Sequence, residues 1–177
     1  MDKDRPSTLY EKQKAERPSV LEVARGLLSA ELYGQLAGFV EFLRQNQMIP
    51  RIFTTNSFQV TYKGETVLRI SISYVAHTVK DSYAVRIDTA DETDINDFFM
   101  PLPDDMLDFY LKNVRRCQNC HTKSRCANKA MVVLGRKVES YCNTGMYICN
   151  PTEQQYEYIK KFIMLRREYI KSKEIKL

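Results

Sequence analysis

Hydrophobic and polar positions alternate most regularly between Phe58 and Asp88, and that stretch anchors the reading of the whole chain. Phe58, Val60 and Tyr62 alternate with Gln59 and Thr61. After Lys63-Gly64, Leu68, Ile70, Ile72 and Tyr74 alternate with Val67, Arg69, Ser71 and Ser73. A period of two on both sides of a glycine turn predicts a β-hairpin with one buried face. A third run after the His77 to Asp81 connection sets Tyr83, Val85 and Ile87 against Ala84, Arg86 and Asp88. Together these predict a three-stranded antiparallel meander.

The pattern before the meander is helical. From Ser19, a suitable N-cap, the chain leads to Leu32, Leu36, Phe39, Val40 and Leu43, one stripe at helical spacing. This predicts a helix that covers the sheet and ends at Pro50. Gly26, Gly34 and Gly38 each weaken it by about 1 kcal/mol relative to alanine, unless Gly34 and Gly38 permit close packing against the sheet. Residues 1–18 are polar and bracketed by Pro6 and Pro18, which predicts a flexible N-terminal arm with Leu9-Tyr10 as its apolar anchor.

Beyond the meander the pattern is less regular. Asp91 to Asp97 reads as an acidic loop, followed by Phe98-Phe99-Met100 and by Pro101 and Pro103. Asp104 is the expected cap of a short helix carrying Leu107, Tyr110, Leu111 and Val114. Met131 to Leu134, then Gly135-Arg136 and Val138, predict a second hairpin. For the last helix, Asn150 is the expected N-cap, with Pro151 at N1 and Glu153 at N3. Tyr156, Ile159, Phe162, Ile163 and Ile170 form its inward stripe, with Lys160, Lys161, Arg166, Arg167 and Lys171 facing out. The expected fold class is therefore α+β. An antiparallel meander covered by helices is followed by a zinc-knuckle, β-hairpin and helix segment. The arm spans 1–18 and a single domain spans 19–177. Residues 19–103 hold the first helix and meander, and 104–177 hold a helix, the cysteine knuckle, the second hairpin and the C-terminal helix.

Composition adds little to this picture. With 177 residues the chain is long enough to build a core without disulfides. No apolar run approaches the roughly 18 residues of a membrane span, and Met1 to Pro6 lacks the apolar centre of a secretory signal. The expected location is the cytoplasm, with no membrane partner.

Charge is distributed unevenly about a net +5. Asp81, Asp88, Asp91, Glu92, Asp94, Asp97, Asp104, Asp105 and Asp108 face only Arg86 within residues 81–108. Residues 109–138 hold Lys112, Arg115, Arg116, Lys123, Arg125, Lys129, Arg136 and Lys137 and no acid. Neighbouring runs of opposite sign predict neutralisation within the fold or between subunits. The alternative is a basic patch for a phosphate-bearing partner.

Four of the five cysteines carry the candidate chemistry. Cys117 and Cys120 form a C-x2-C pair, Cys126 follows six positions on, and Cys142 lies beyond the second hairpin. In a reducing compartment clustered thiols bind metal more often than they form disulfides. Four thiolates suit the tetrahedral shell of structural Zn²⁺, at Zn–S distances of about 2.3 Å. Cys117, Cys120, Cys126 and Cys142 are the predicted ligands, with His121 or Cys149 as substitutes for one of them. The order of knuckle, hairpin and helix is shared with treble-clef zinc modules. It departs from them because Cys126 comes early and Cys142 precedes the last helix. Cys117 to His121 also spells C-x-x-C-H, the attachment motif of c-type haem, which needs export. A redox dithiol would want a helix N-terminus, whereas this pair follows an expected helix C-terminus.

No nucleophile elbow, phosphate-binding glycine loop or dinucleotide fingerprint occurs. The expected function is a non-enzymatic binding or interaction module with a structural four-cysteine zinc site. Its partner would be another protein, or a small apolar ligand held among Tyr62, Tyr74, Tyr83, Phe98 and Phe99. The first alternative is a nucleic-acid-binding or regulatory protein using Lys112, Arg115, Arg116, Lys123, Arg125 and Lys129. The second is an enzyme whose pocket is assembled only by folding.

Asn56 to Gly64, the cysteine knuckle, Leu134-Gly135-Arg136 with Cys142, and Asn150-Pro151 before a basic helix resemble uncharacterised small cysteine-containing α+β proteins of Firmicutes. The sheet part is similar to YjbR-like domains. The resemblance covers roughly residues 30–170. It implies a bacterial cytoplasmic α+β protein that keeps three or four cysteines around the knuckle, and it implies no activity.

Overall fold

A computed structural model describes residues 7–73, 81–90, 94–116, 130–139 and 141–174. The fold is α+β, an antiparallel sheet with a small separate hairpin and helices. The chain divides into two compact units, Met1–Val85 and Arg86–Leu177. Among the described residues no helix is long and apolar enough to cross a membrane.

The first unit begins with three helices, each started by a hydroxyl side chain. Helix α1 (Leu9–Glu16) carries a capping box of Thr8 and Glu11, and α2 (Val20–Arg25) carries one of Ser19 and Glu22. Both boxes satisfy otherwise orphaned N–H groups. Ser29 caps α3 (Ala30–Gln45). The expected arm thus contains a helix, and α1 is tied down: the Gln13 amide donates to Asn56 Oδ1 at 2.6 Å and its oxygen accepts the Asn56 N–H at 2.9 Å. The single helix expected after Ser19 is two helices, broken where Gly26 ends α2 and Ser29 restarts the chain. Leu36, Phe39, Val40 and Leu43 are buried as predicted. Gly34 and Gly38 are not packing contacts. Both are exposed, with open space where a Cβ would stand.

The strands follow in the order β1 (Pro50–Thr54), β2 (Ser57–Tyr62), β3 (Glu65–Ile72) and β4 (Tyr83–Ile87), hydrogen-bonded as consecutive neighbours. Pro50 starts β1, a strand absent from the sequence reading, instead of merely ending a helix. The β2–β3 hairpin forms as predicted, in the register Phe58↔Ile70 and Val60↔Leu68. Its turn residues Lys63 and Gly64 both have positive φ, 48° and 85°, the conformation that matches strand twist in two-residue loops. The register shifts between Val60 and Thr61, and Val67, expected outward, is buried with Leu68.

The boundary between units falls inside β4. In the second unit, α4 (Ile95–Phe99) replaces the end of the expected acidic loop. Helix α5 (Asp104–Asn113) has Pro103, not Asp104, at its N-cap, and Val114 leaves the helix to start β5 (Val114–Arg116). The second hairpin is present as β6 (Ala130–Val133) and β7 (Arg136–Glu139), turning at Leu134 and Gly135 with φ of 47° and 80°. Strand β8 (Tyr141–Cys149), also unforeseen, pairs antiparallel with β5.

Helix α6 (Glu153–Glu174) begins two residues later than predicted. Asn150 has φ of 40° and stands outside the helix. The cap is Thr152, whose Oγ1 accepts the Gln155 N–H at 3.3 Å while Gln155 Oε1 accepts the Thr152 N–H at 2.9 Å. The predicted stripe is buried as expected, but Arg166 is only 9% exposed. Its guanidinium lies over the Tyr169 ring, 5.2 Å from the centroid, where the ring's quadrupole attracts the cation. Phe99 is the hub of this unit's core. Its ring meets Phe98, Tyr110 and Phe162 at centroid distances of 5.1, 4.2 and 6.0 Å. Phe98 and Phe99 therefore pack against helices, and Tyr74 lies outside the described residues.

Candidate metal centre

Strand β5 and strand β8 carry what is described around the cysteine cluster. Cys117, Cys120, Cys126 and His121 fall outside the described residues, as do Lys123, Arg125 and Lys129. Cys142 is the second residue of β8, and Cys149 is its last. Among the described residues no three His, Cys, Asp or Glu side chains converge as a metal-binding group.

The pairing of the two strands nonetheless constrains which cysteines can meet. Arg116, the chain neighbour of Cys117, is the cross-strand partner of Tyr141, the chain neighbour of Cys142. Cross-strand Cα atoms lie about 5 Å apart. Val114 pairs with Met146, so Cys149 lies beyond the other end of the pair. Cys149 lies seven positions beyond Cys142, and with the extra residues of β8 taken up in its irregularity the span is on the order of 15 Å. Two sulfurs on one zinc lie within about 5 Å of each other. Cys142 and Cys149 therefore stand at opposite ends of β8, and the register puts Cys142 at the end where Cys117 follows. Cys149 is a free, exposed thiol.

Strand β8 is irregular just past Cys142. Two residues along β5, from Val114 to Arg116, correspond to five along β8, from Met146 to Tyr141. Side chains hold this irregularity in place. The Thr144 carbonyl accepts hydrogen bonds from Thr89 Oγ1 at 2.7 Å and from the Tyr110 hydroxyl at 2.9 Å. Thr144 Oγ1 in turn donates to the Ala90 carbonyl at 2.9 Å. Sequence reasoning missed this clamp, because hydroxyls in Thr89, Tyr110 and Thr144 carry no pattern that links three separated segments.

Charge around the candidate centre is partly spent internally. Arg136 of β7 pairs with Asp108 and, at 3.3 Å, with Asp104 of α5. That joins the basic run to the acidic one, as the neutralisation reading expects, in exposed pairs worth at most about 1 kcal/mol. Asp105 accepts the Tyr158 hydroxyl at 3.0 Å, which pushes the phenol pKa up. Asp94 accepts the Tyr169 hydroxyl at 2.5 Å and lies 3.7 Å from the Lys173 ammonium. Burial, then the Asp94 bond, raises the Tyr169 pKa. Of the alternative nucleic-acid residues, Lys112 is exposed in the last turn of α5, and Arg115 and Arg116 lie in β5.

Comparison with protein-family models, with curated proteins and with solved structures finds no match to this chain.

Proposed function

We propose that this protein is a non-enzymatic binding module whose second unit is stapled by one structural zinc ion on Cys117, Cys120, Cys126 and Cys142. One observation carries the reading: the chain neighbours of Cys117 and Cys142, Arg116 and Tyr141, are cross-strand partners. Two ligands of a four-thiolate site would then enter from adjacent strands, and the C-x2-C spacing supplies the second ligand beside the first. The chemistry asks for reduced thiols, as in the cytoplasm. Zinc would hold residues 117–142 to the β5–β8 pair, a structural contribution with no open coordination position for substrate.

Elemental analysis of protein purified without chelator or added metal should find close to one zinc per chain. Cys142→Ser should remove it, whereas Cys149→Ser should leave it in place. Chelation should raise amide exchange in β5 and β8 while β2 and β3 keep their protection. Metal-free protein that melts at the same temperature with and without chelator would overturn the reading.

A further inference from the structure

The register of the first unit brings two arginines into one row. Arg51 of β1 stands opposite Gln59 of β2, and Gln59 stands opposite Arg69 of β3. Paired residues on neighbouring strands project from the same face, and the alternate residues Phe58, Val60, Leu68 and Ile70 are buried. The row therefore lies on the face turned away from those core side chains. Phe53, two residues beyond Arg51, shares that face: the Arg69 guanidinium carbon sits 4.5 Å from its ring centroid. Phe53 is 40% exposed, and Arg69 Nε is buried without a hydrogen-bond partner.

Among the described residues neither Arg51 nor Arg69 pairs with a carboxylate. The one acid in β1, β2 and β3 is Glu65, which stands opposite buried Tyr62 at the hairpin end. Strand spacing of about 4.8 Å sets the Arg51 and Arg69 Cα atoms about 10 Å apart, wide enough for successive anionic groups rather than one. An exposed ring with a guanidinium already stacked beside it offers a π surface to a planar base.

We propose that this sheet face binds single-stranded nucleic acid, Phe53 stacking a base while Arg51 and Arg69 hold the backbone phosphates. The site is independent of the zinc reading and uses none of the basic residues near the cysteines. A duplex is disfavoured, because its bases are stacked on one another and unavailable to Phe53.

Fluorescence anisotropy of the full chain with a labelled oligouridine of about 12 nucleotides tests it. Binding should be measurable at about 50 mM salt and fall steeply by about 200 mM. Phe53→Leu, which keeps apolar bulk but removes the ring, should weaken binding about tenfold or more with unchanged melting. Arg51→Gln should lower the salt slope by about one, while Lys112→Gln and zinc content stay as in the unaltered protein. The proposal is overturned by absence of binding at about 50 mM salt, by a duplex bound as tightly, or by Phe53→Leu and Arg51→Gln both binding normally. Capture by heparin without oligonucleotide binding would assign the row to acidic polysaccharide and overturn it as well. Purified protein that contains no zinc yet binds the oligonucleotide would sink the metal reading alone.

Discussion

Strand β2 and strand β8 are held in register by different means. Phe58, Val60 and Tyr62 of β2 alternate with less buried residues, β3 follows a two-residue turn, and the pairing Phe58↔Ile70, Val60↔Leu68 repeats that alternation, with one irregularity between Val60 and Thr61. A one-residue slip would turn every core side chain to the other face. Strand β8 has no such alternation in Tyr141 to Gly145, and its register against β5 slips by several residues. There the polypeptide is fixed by hydroxyls from Thr89 and Tyr110 that converge on one carbonyl. Apolar pattern thus dominates in the first strand, while the second depends on a few directed bonds.

The largest expected difference comes from removing hydroxyls on each side of this comparison. In the first unit Ser57 and Ser71 are cross-strand partners whose Oγ atoms lie 3.1 Å apart. Replacing both with alanine removes donor and acceptor together, and such paired deletions are nearly neutral. In the second unit the double variant Thr89→Val, Tyr110→Phe strips two donors from the Thr144 carbonyl and leaves the acceptor behind. That should cost about 1–3 kcal/mol, read as a lower urea midpoint with unchanged slope. Equal losses for the two double variants would dissolve the distinction.

A gain of stability should come from the helices of the first unit. Gly34 and Gly38 are exposed in α3 and have room for a Cβ. Alanine at either position restricts the unfolded chain and should stabilise by up to about 1 kcal/mol. The turn glycines behave oppositely. Gly64 and Gly135 have φ of +85° and +80°, so Gly64→Ala and Gly135→Ala place a Cβ in the left-handed region and should destabilise by about 1–2 kcal/mol each. The same substitution therefore changes sign with backbone angle, and thermal melts of the four variants check it.

The part of the fold legible in the sequence follows the same division. The β2–β3 hairpin, the Ser19 cap and the buried stripe of α6 are local patterns, and each forms where the residues indicate. Strand β1 was hidden because Arg51 and Phe53 are exposed on an edge strand, which leaves no inward period to detect. The start of α6 was misplaced because Asn150-Pro151 offers a cap, yet Asn150 adopts φ of 40° and Thr152-Gln155 closes the box instead. Arg166 was assigned to solvent by its charge, although a guanidinium can be covered by stacking on Tyr169. At the candidate metal centre, spacing named Cys117, Cys120, Cys126 and Cys142 with His121 or Cys149 as substitutes, and the pairing that bears on the choice, Arg116 with Tyr141, joins positions 25 residues apart and leaves no local pattern.

The smallest difference concerns how helices begin. In the first unit α1 and α2 close their capping boxes with the carboxylates of Glu11 and Glu22. The hydrogen bonds from Thr8 and Ser19, backbone first, hold both pKa values below the ordinary glutamate value. In the second unit α6 uses the uncharged amide of Gln155 for the same purpose. A carboxyl whose folded pKa is depressed contributes stability fully above its unfolded pKa, about 4.3. That contribution fades as pH falls through the lower, folded value. Acidification should therefore speed amide exchange at Glu11 and Glu22, whose N–H groups bond to the cap hydroxyls, before it affects the equivalent N–H of Gln155. After correction for intrinsic exchange, Glu11→Gln with Glu22→Gln should flatten the acid response of the first two. A Gln155 amide that loosens in step with them would mean that acid acts through the whole fold rather than through its caps.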